Sequence, residues 1–208
     1  MLKWGVVAGG LVACLVILAG LAGGVQAAGH TTLGCSSCHQ PHHAGLATDA
    51  AASWGVPLWN TANTVDGLPT FTLYDSDTFH ALATDIGQPD GASKLCLGCH
   101  DGSYIYFRTN STSPFIIGAA DLARMHPVSF TYDSSLASRH PKHSLYDPAL
   151  TNSGLGRTIQ ADLLDSHGKM QCTSCHDVHT SGLTDYMLRY PYAVGTTDKT
   201  MCIVCHNK

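Results

Sequence analysis

The chain has 208 residues, 11 Lys+Arg against 15 acidic residues, and a net charge of −4 with histidine neutral. This length fits one domain, and an acidic balance without basic runs argues against nucleic acid as a partner. All 15 acids are aspartate, a residue of caps and turns more than of helix interiors, so with abundant Gly and Pro the composition predicts a loop-rich chain with a modest apolar core.

Lys3 is followed by an apolar run from Gly5 to Val25 and then by Gln26-Ala27-Ala28. Small residues at Val25-Gln26-Ala27 suit signal cleavage after Ala27, leaving residues 28–208 as a single domain and removing one positive charge. Leu11-Val12-Ala13-Cys14 looks like a lipobox, but apolar residues continue past Cys14 where a lipoprotein turns polar. The run is long enough for an uncleaved anchor, although its six glycines disfavour a helix.

The next feature is Cys35-Ser36-Ser37-Cys38-His39-Gln40-Pro41-His42-His43. Its first five residues read C-x-x-C-H, the attachment signature of a c-type haem. The two thiols add across the haem vinyl groups, and the histidine becomes the proximal iron ligand. The spacing has a mechanical reason: two intervening residues put both sulfurs on one side of a single helical turn.

Beyond it, Trp54 to Asn60 suggests an irregular aromatic loop, and Phe71-Thr72-Leu73-Tyr74 alternates as a short strand does. Gly87-Gln88-Pro89-Asp90-Gly91 reads as a turn. The signature then recurs as Cys96-Leu97-Gly98-Cys99-His100. Tyr104 to Arg108 reads as a strand, and Asn110-Ser111-Thr112 matches a glycosylation sequon that carries little weight. His126 precedes Pro127, which holds it in extended backbone, and Pro127 to Tyr132 alternates as a strand. Ser138 to Ser153 is polar and proline-punctuated, hence a surface loop. Thr158 to Ser166 predicts a two-turn helix leading into the third signature, Cys172-Thr173-Ser174-Cys175-His176. The fourth is Cys202-Ile203-Val204-Cys205-His206.

The first cysteines are separated by 61 residues from Cys35 to Cys96, 76 from Cys96 to Cys172 and 30 from Cys172 to Cys202. These uneven intervals are not a solenoid period; what repeats is the site, not a folded module. Eight of the nine cysteines belong to the signatures, and four haems per chain are the expected cofactors. Porphyrin surface then supplements a small apolar core. A zinc or disulfide protein is the competing use of so many cysteines in an exported chain, but a histidine after every C-x-x-C argues against it.

Of 13 histidines, four are proximal: His39, His100, His176 and His206. The other nine suffice to close every iron with a second histidine. His42 and His179 each follow a signature histidine by three residues, a span of at most about 11 Å. Adjacent His42 and His43 point to opposite sides in extended backbone. His42, His43, His126 and His179 are therefore the preferred distal ligands, with His80 and His167 in reserve; His30, His140 and His143 read as solvent-facing. Methionine is the other possible sixth ligand, but Met170 and Met201 sit just before signature cysteines, where packing is the expected role.

Taken together, Cys35 to His43, Lys94 to Gly102, His126 to Tyr132, Cys172 to His179 and Met201 to Lys208 resemble the secreted multihaem cytochromes of metal-reducing bacteria. More narrowly, the chain resembles the tetrahaem cytochromes that polymerise into extracellular filaments. The resemblance implies a loop-rich multihaem cytochrome c with few short helices and strands, organised around a haem chain. It also implies a homopolymer in which one axial histidine is donated between subunits, with other cytochromes or extracellular acceptors as redox partners. Electron transfer without enzymatic turnover is the expected function, outside the cell or at its surface. The alternatives are a soluble periplasmic shuttle and a membrane-anchored tetrahaem quinol dehydrogenase, the latter requiring a retained leader. A nitrite or hydroxylamine reductase would need an open iron, and no C-x-x-C-K variant is present.

Overall fold

The computed structural model describes residues 30, 34–39, 68–103, 113–139, 144–179, 185–190 and 200–207. The leader, His42, His43, the Trp54–Asn60 loop, the Tyr104–Arg108 strand, the Asn110 sequon, His140 and His143 lie outside them. Among the described residues no helix is long and apolar enough to cross a membrane.

Five short helices carry the described chain: α1 Gly91–His100, α2 Ser134–Arg139, α3 Ile159–Leu163, α4 Cys172–Cys175 and α5 Thr200–Cys205. Three of them end on or contain a C-x-x-C-H signature, and the first signature forms a single 3₁₀ turn, Cys35–Ser37. Two strands, β1 Phe130–Thr131 and β2 Lys169–Met170, pair antiparallel with Phe130 opposite Met170.

β1 is shorter than the alternation from Pro127 to Tyr132 implied, because Ser129 takes a left-handed φ of 62° and breaks the pleat before it. Ser129 and Tyr132 still extend the ladder through their amides, which donate to the carbonyls of Met170 and Gly168. The expected strand at Phe71–Tyr74 is absent. The amide and carbonyl of Phe71 are both satisfied by the Gln88 side chain, at 2.8 Å and 3.0 Å, so a side-chain amide from the Gly87–Gly91 turn does the work of a partner strand.

The main core gathers around this two-stranded ladder. Phe130, Tyr132, Leu136, Ile159, Leu163 and Met170 are buried together, and Phe79 meets Phe130 edge-to-face at 5.0 Å. Met170 and Met201 both pack into this cluster. A second cluster of Phe71, Leu97 and Leu122 backs α1. Of the two-turn helix expected over Thr158–Ser166, only Ile159–Leu163 forms, as α3, ending at Leu164 in extended backbone; the Thr158 hydroxyl accepts from the Ala161 amide at its N-terminus, and Ile159 is fully buried.

The stretch from Ser138 to Ser153 departs from a surface loop. Its first residues complete α2, and Ser144, Pro148 and Ser153 are buried. Leu145 bridges to His206, the Tyr146 amide donates to the Cys205 carbonyl and the Asn207 amide to the Ser144 carbonyl. Polar composition here serves a seat for the fourth signature, whose exposed backbone needs hydrogen-bonding partners.

Candidate functional site

Each signature is held as a helical turn, as its spacing required. The amides of His39, His176 and His206 donate to the carbonyls of Cys35, Cys172 and Cys202 at 2.8–3.0 Å, and the second signature lies within α1. The eight signature cysteines are free of disulfides.

The second and third signatures are locked together by a buried polar junction. The Gln171 side chain uses all four of its hydrogen-bonding capacities. Its Oε1 accepts from the Ser93 amide and the Ser129 hydroxyl, both at 3.2 Å. Its Nε2 donates to Asp90 Oδ1 at 3.0 Å and Asp165 Oδ2 at 2.8 Å. Ser93 answers by accepting from the Cys172 amide at 3.0 Å, and Lys169 pairs with Asp90. This junction makes Cys96 and Cys172 neighbours; the Cys172 thiol, followed by burial, pushes the Cys96 thiol up, and the Cys96 thiol draws that of Cys172 down.

The other signatures continue the row. Cys38 is an electrostatic neighbour of Cys96 and Cys99, and Cys175 of Cys202 and Cys205. Burial is the main reason why the thiols of Cys99 and Cys175 rise to about 11 and that of Cys205 to about 12. These neighbours link the first signature to the second and the third to the fourth.

Downstream segments fold back over the second and third histidines and fix their rings. His100 Nδ1 lies 2.9 Å from the Phe115 carbonyl, and His176 Nδ1 lies 2.9 Å from the Tyr186 carbonyl. Tyr186 and Met187 both take left-handed backbone, with φ of 62° and 56°. Such non-glycine strain is retained where the surroundings over-determine it; here His176 bridges Leu188, Asp177 donates its amide to the Met187 carbonyl and Arg189 donates its amide to the Cys175 carbonyl.

Among the described residues three signature histidines stand opposite a second histidine. His39 faces His179 with ring centroids 6.1 Å apart, His100 faces His30 at 5.8 Å and His206 faces His126 at 6.3 Å. His126 Nδ1 is 2.9 Å from the Pro127 carbonyl. His80 is half-buried, and His167 sits on an exposed turn with its Nδ1 3.2 Å from the Ser166 hydroxyl. His30 departs from the solvent-facing position expected of it: it is half-buried, and burial followed by the nearby His100 and His176 keeps its ring below the ordinary 6.5. No motif or signature spacing marks His30, so only the folded chain reveals it.

A haem fits these residues on three grounds. Two imidazoles each about 2 Å from one metal put their centroids roughly 6 Å apart. An Nδ1 occupied by a carbonyl leaves Nε2 for the metal, as metal-bound histidines normally arrange it. Exposed large apolar side chains also stand next to these histidines: Phe115, Met125, Val178, Tyr186 and Ile203. An apolar macrocycle would cover them. Cys35, Cys38 and His39 would hold the first haem, Cys96, Cys99 and His100 the second, Cys172, Cys175 and His176 the third, and Cys202, Cys205 and His206 the fourth.

The doubled CXXCH motif family matches residues 167–208, the stretch with the third and fourth signatures. This pairing of signatures indicates a multihaem c-type cytochrome. No curated protein and no solved structure matches the chain. The CXXCH motifs imply covalent c-type haem and electron transfer, and the loop-rich architecture with few helices and strands is compatible with that class.

Proposed function

We propose that this cytochrome carries electrons through four closely spaced haems, each held between two histidines, and that it serves as a subunit of an extracellular conductive filament. The observation that supports the reading best is the close seating of the second and third attachment turns, where the Cys172 amide donates to the Ser93 hydroxyl of the second-signature helix at 3.0 Å. Haem iron supplies the one-electron redox change when bound. The chain's own part is to hold the sites in a row and to keep both axial positions filled, so that coordination alters little between redox states. No substrate bond is made or broken, and the protein acts as a carrier, not an enzyme.

In this reading the protein is exported to the cell surface or beyond, and its partners are further copies of itself, other cytochromes and extracellular acceptors. Three signature histidines face a histidine of their own chain. Among the described residues His176 is not in such a pair, and His42 or His43 would serve it, from the same subunit or from the next one in a polymer. An interface of this heterologous kind that does not close on itself gives an open fibre. The same intrachain pairs also suit a self-sufficient periplasmic shuttle, and a retained apolar leader would suit a membrane-anchored quinol dehydrogenase.

Intact mass of the purified protein is expected to exceed the peptide mass by four haems; three or fewer would refute the count. Negative-stain micrographs of the secreted fraction are expected to show filaments. A monodisperse monomer with four low-spin haems at high concentration would replace the filament with the shuttle.

A further inference from the structure

Each signature supplies one iron ligand, and the identity of the opposite one is not written in the motif. We infer that His179 closes the first haem site, His30 the second and His126 the fourth, so that three of the four irons are each bound by histidines from distant segments of one chain. This assignment rests on the multihaem reading above and adds to it which residue serves which site.

The argument is geometric. Each of the three ring pairs joins one signature histidine to one histidine outside the signatures. Their centroid separations agree within half an ångström, at 5.8, 6.1 and 6.3 Å, while their interplanar angles are 27°, 21° and 78°. Direct ring contact would prefer particular tilts. Axial coordination constrains the separation through two metal–nitrogen bonds of about 2 Å and leaves each ring free to rotate about its bond. Constant separation with variable tilt is the signature of the second case. In two of the pairs a ring nitrogen is also occupied by backbone, through His100 with Phe115 and His126 with Pro127, which directs the other nitrogen to the metal.

The assignment makes the N-terminal part of the cytochrome a clamp. His30 reaches to the second site while His39, nine residues on, is met by His179, three residues beyond the third signature. Two iron centres would thus pin the segment 30–39 against the middle of the molecule. His179, which follows His176 so closely, serves not the haem beside it in sequence but the first one, and this tethers the first and third sites.

The test uses the full haem-loaded protein. His30→Ala is expected to convert one haem in four from low-spin to high-spin in the electron paramagnetic resonance spectrum, with covalent haem content unchanged by mass. Added imidazole should restore the low-spin signal. To place that haem, the change is repeated where Cys96→Ala and Cys99→Ala remove the second site: the high-spin signal should vanish there, yet persist where Cys35→Ala and Cys38→Ala remove the first. A His30→Ala protein that stays wholly low-spin, or a high-spin signal that survives loss of the second site, overturns the assignment. Should His30→Ala fail to accumulate, His30→Met keeps a ligand and is expected to stay low-spin with one haem potential raised; unchanged potentials overturn the assignment. His179→Ala against loss of the first site and His126→Ala against loss of the fourth follow the same logic. A wild-type protein without covalent haem would instead refute the multihaem reading itself, an outcome visible in the mass before any variant is made.

Discussion

At Gln171 a single side chain joins the turns that carry the second and third signatures. It is 1% exposed and fully hydrogen-bonded to Ser93, Ser129, Asp90 and Asp165. Gln171→Leu keeps the volume but orphans the Ser93 amide, at roughly 1–3 kcal/mol for a buried group left unmade, while the Ser129 hydroxyl keeps its bonds to the Asp90 backbone. A lower guanidinium midpoint with an unchanged m-value is the expected result. Asp162 offers a pH test of the same kind. The Ser153 hydroxyl, with the Arg157 amide and guanidinium, holds its carboxyl below the ordinary 3.8. A depressed folded value means that the unfolded state binds the proton first, so this stability is present above pH 3.8 and is lost as pH falls through the lower folded value. Asp162→Asn should be less stable than wild type at neutral pH, and the gap measured by denaturation should narrow on acidification.

Among the described residues no helix is long enough to stand alone. The longest, α1, has ten residues and α4 has four, well below the roughly 12–15 residues at which isolated helices become marginal in water. They persist by packing, by caps and, in the haem-loaded protein, by thioether and iron bonds. Thr158→Ala, which removes the cap of α3, should cost about 1 kcal/mol. Ile159→Ala in the same helix empties a fully buried site and should cost about 2–5 kcal/mol. Thermal unfolding of the two variants side by side checks the order. Chain produced without haem attachment should show far less helix by far-UV circular dichroism than the loaded protein; an equal helical signal would mean that α4 and α5 hold without the cofactor.

Among the described residues each signature has the next one in sequence as a neighbour, and His179, just past the third, also reaches His39 of the first. The row is built from uneven stretches of sequence because Ser144–Tyr146 and Leu188–Arg189 return to seat the fourth and third signatures. Removing an inner site should therefore interrupt conduction more than removing an end one. With the protein adsorbed between a donor and an acceptor, Cys96→Ala with Cys99→Ala is expected to slow electron passage more than Cys202→Ala with Cys205→Ala. Equal effects would argue against a single-file path.

The attachment signatures, the helical turn that each forms and the helix capped by Thr158 were legible from residue order alone, because they depend on contacts within a few residues. The loss of the Phe71–Tyr74 strand, the burial of Ser144, Pro148 and Ser153 and the position of His30 were not. Each depends on a partner far along the chain: the Gln88 amide replaces a neighbouring strand, the fourth signature demands hydrogen bonds from a polar stretch, and His100 lies 70 residues beyond His30. A motif specifies how a haem is tethered, since two thiols and one imidazole on a single turn suffice. Which histidine stands opposite is decided by how distant segments pack, and that exists only in the folded chain.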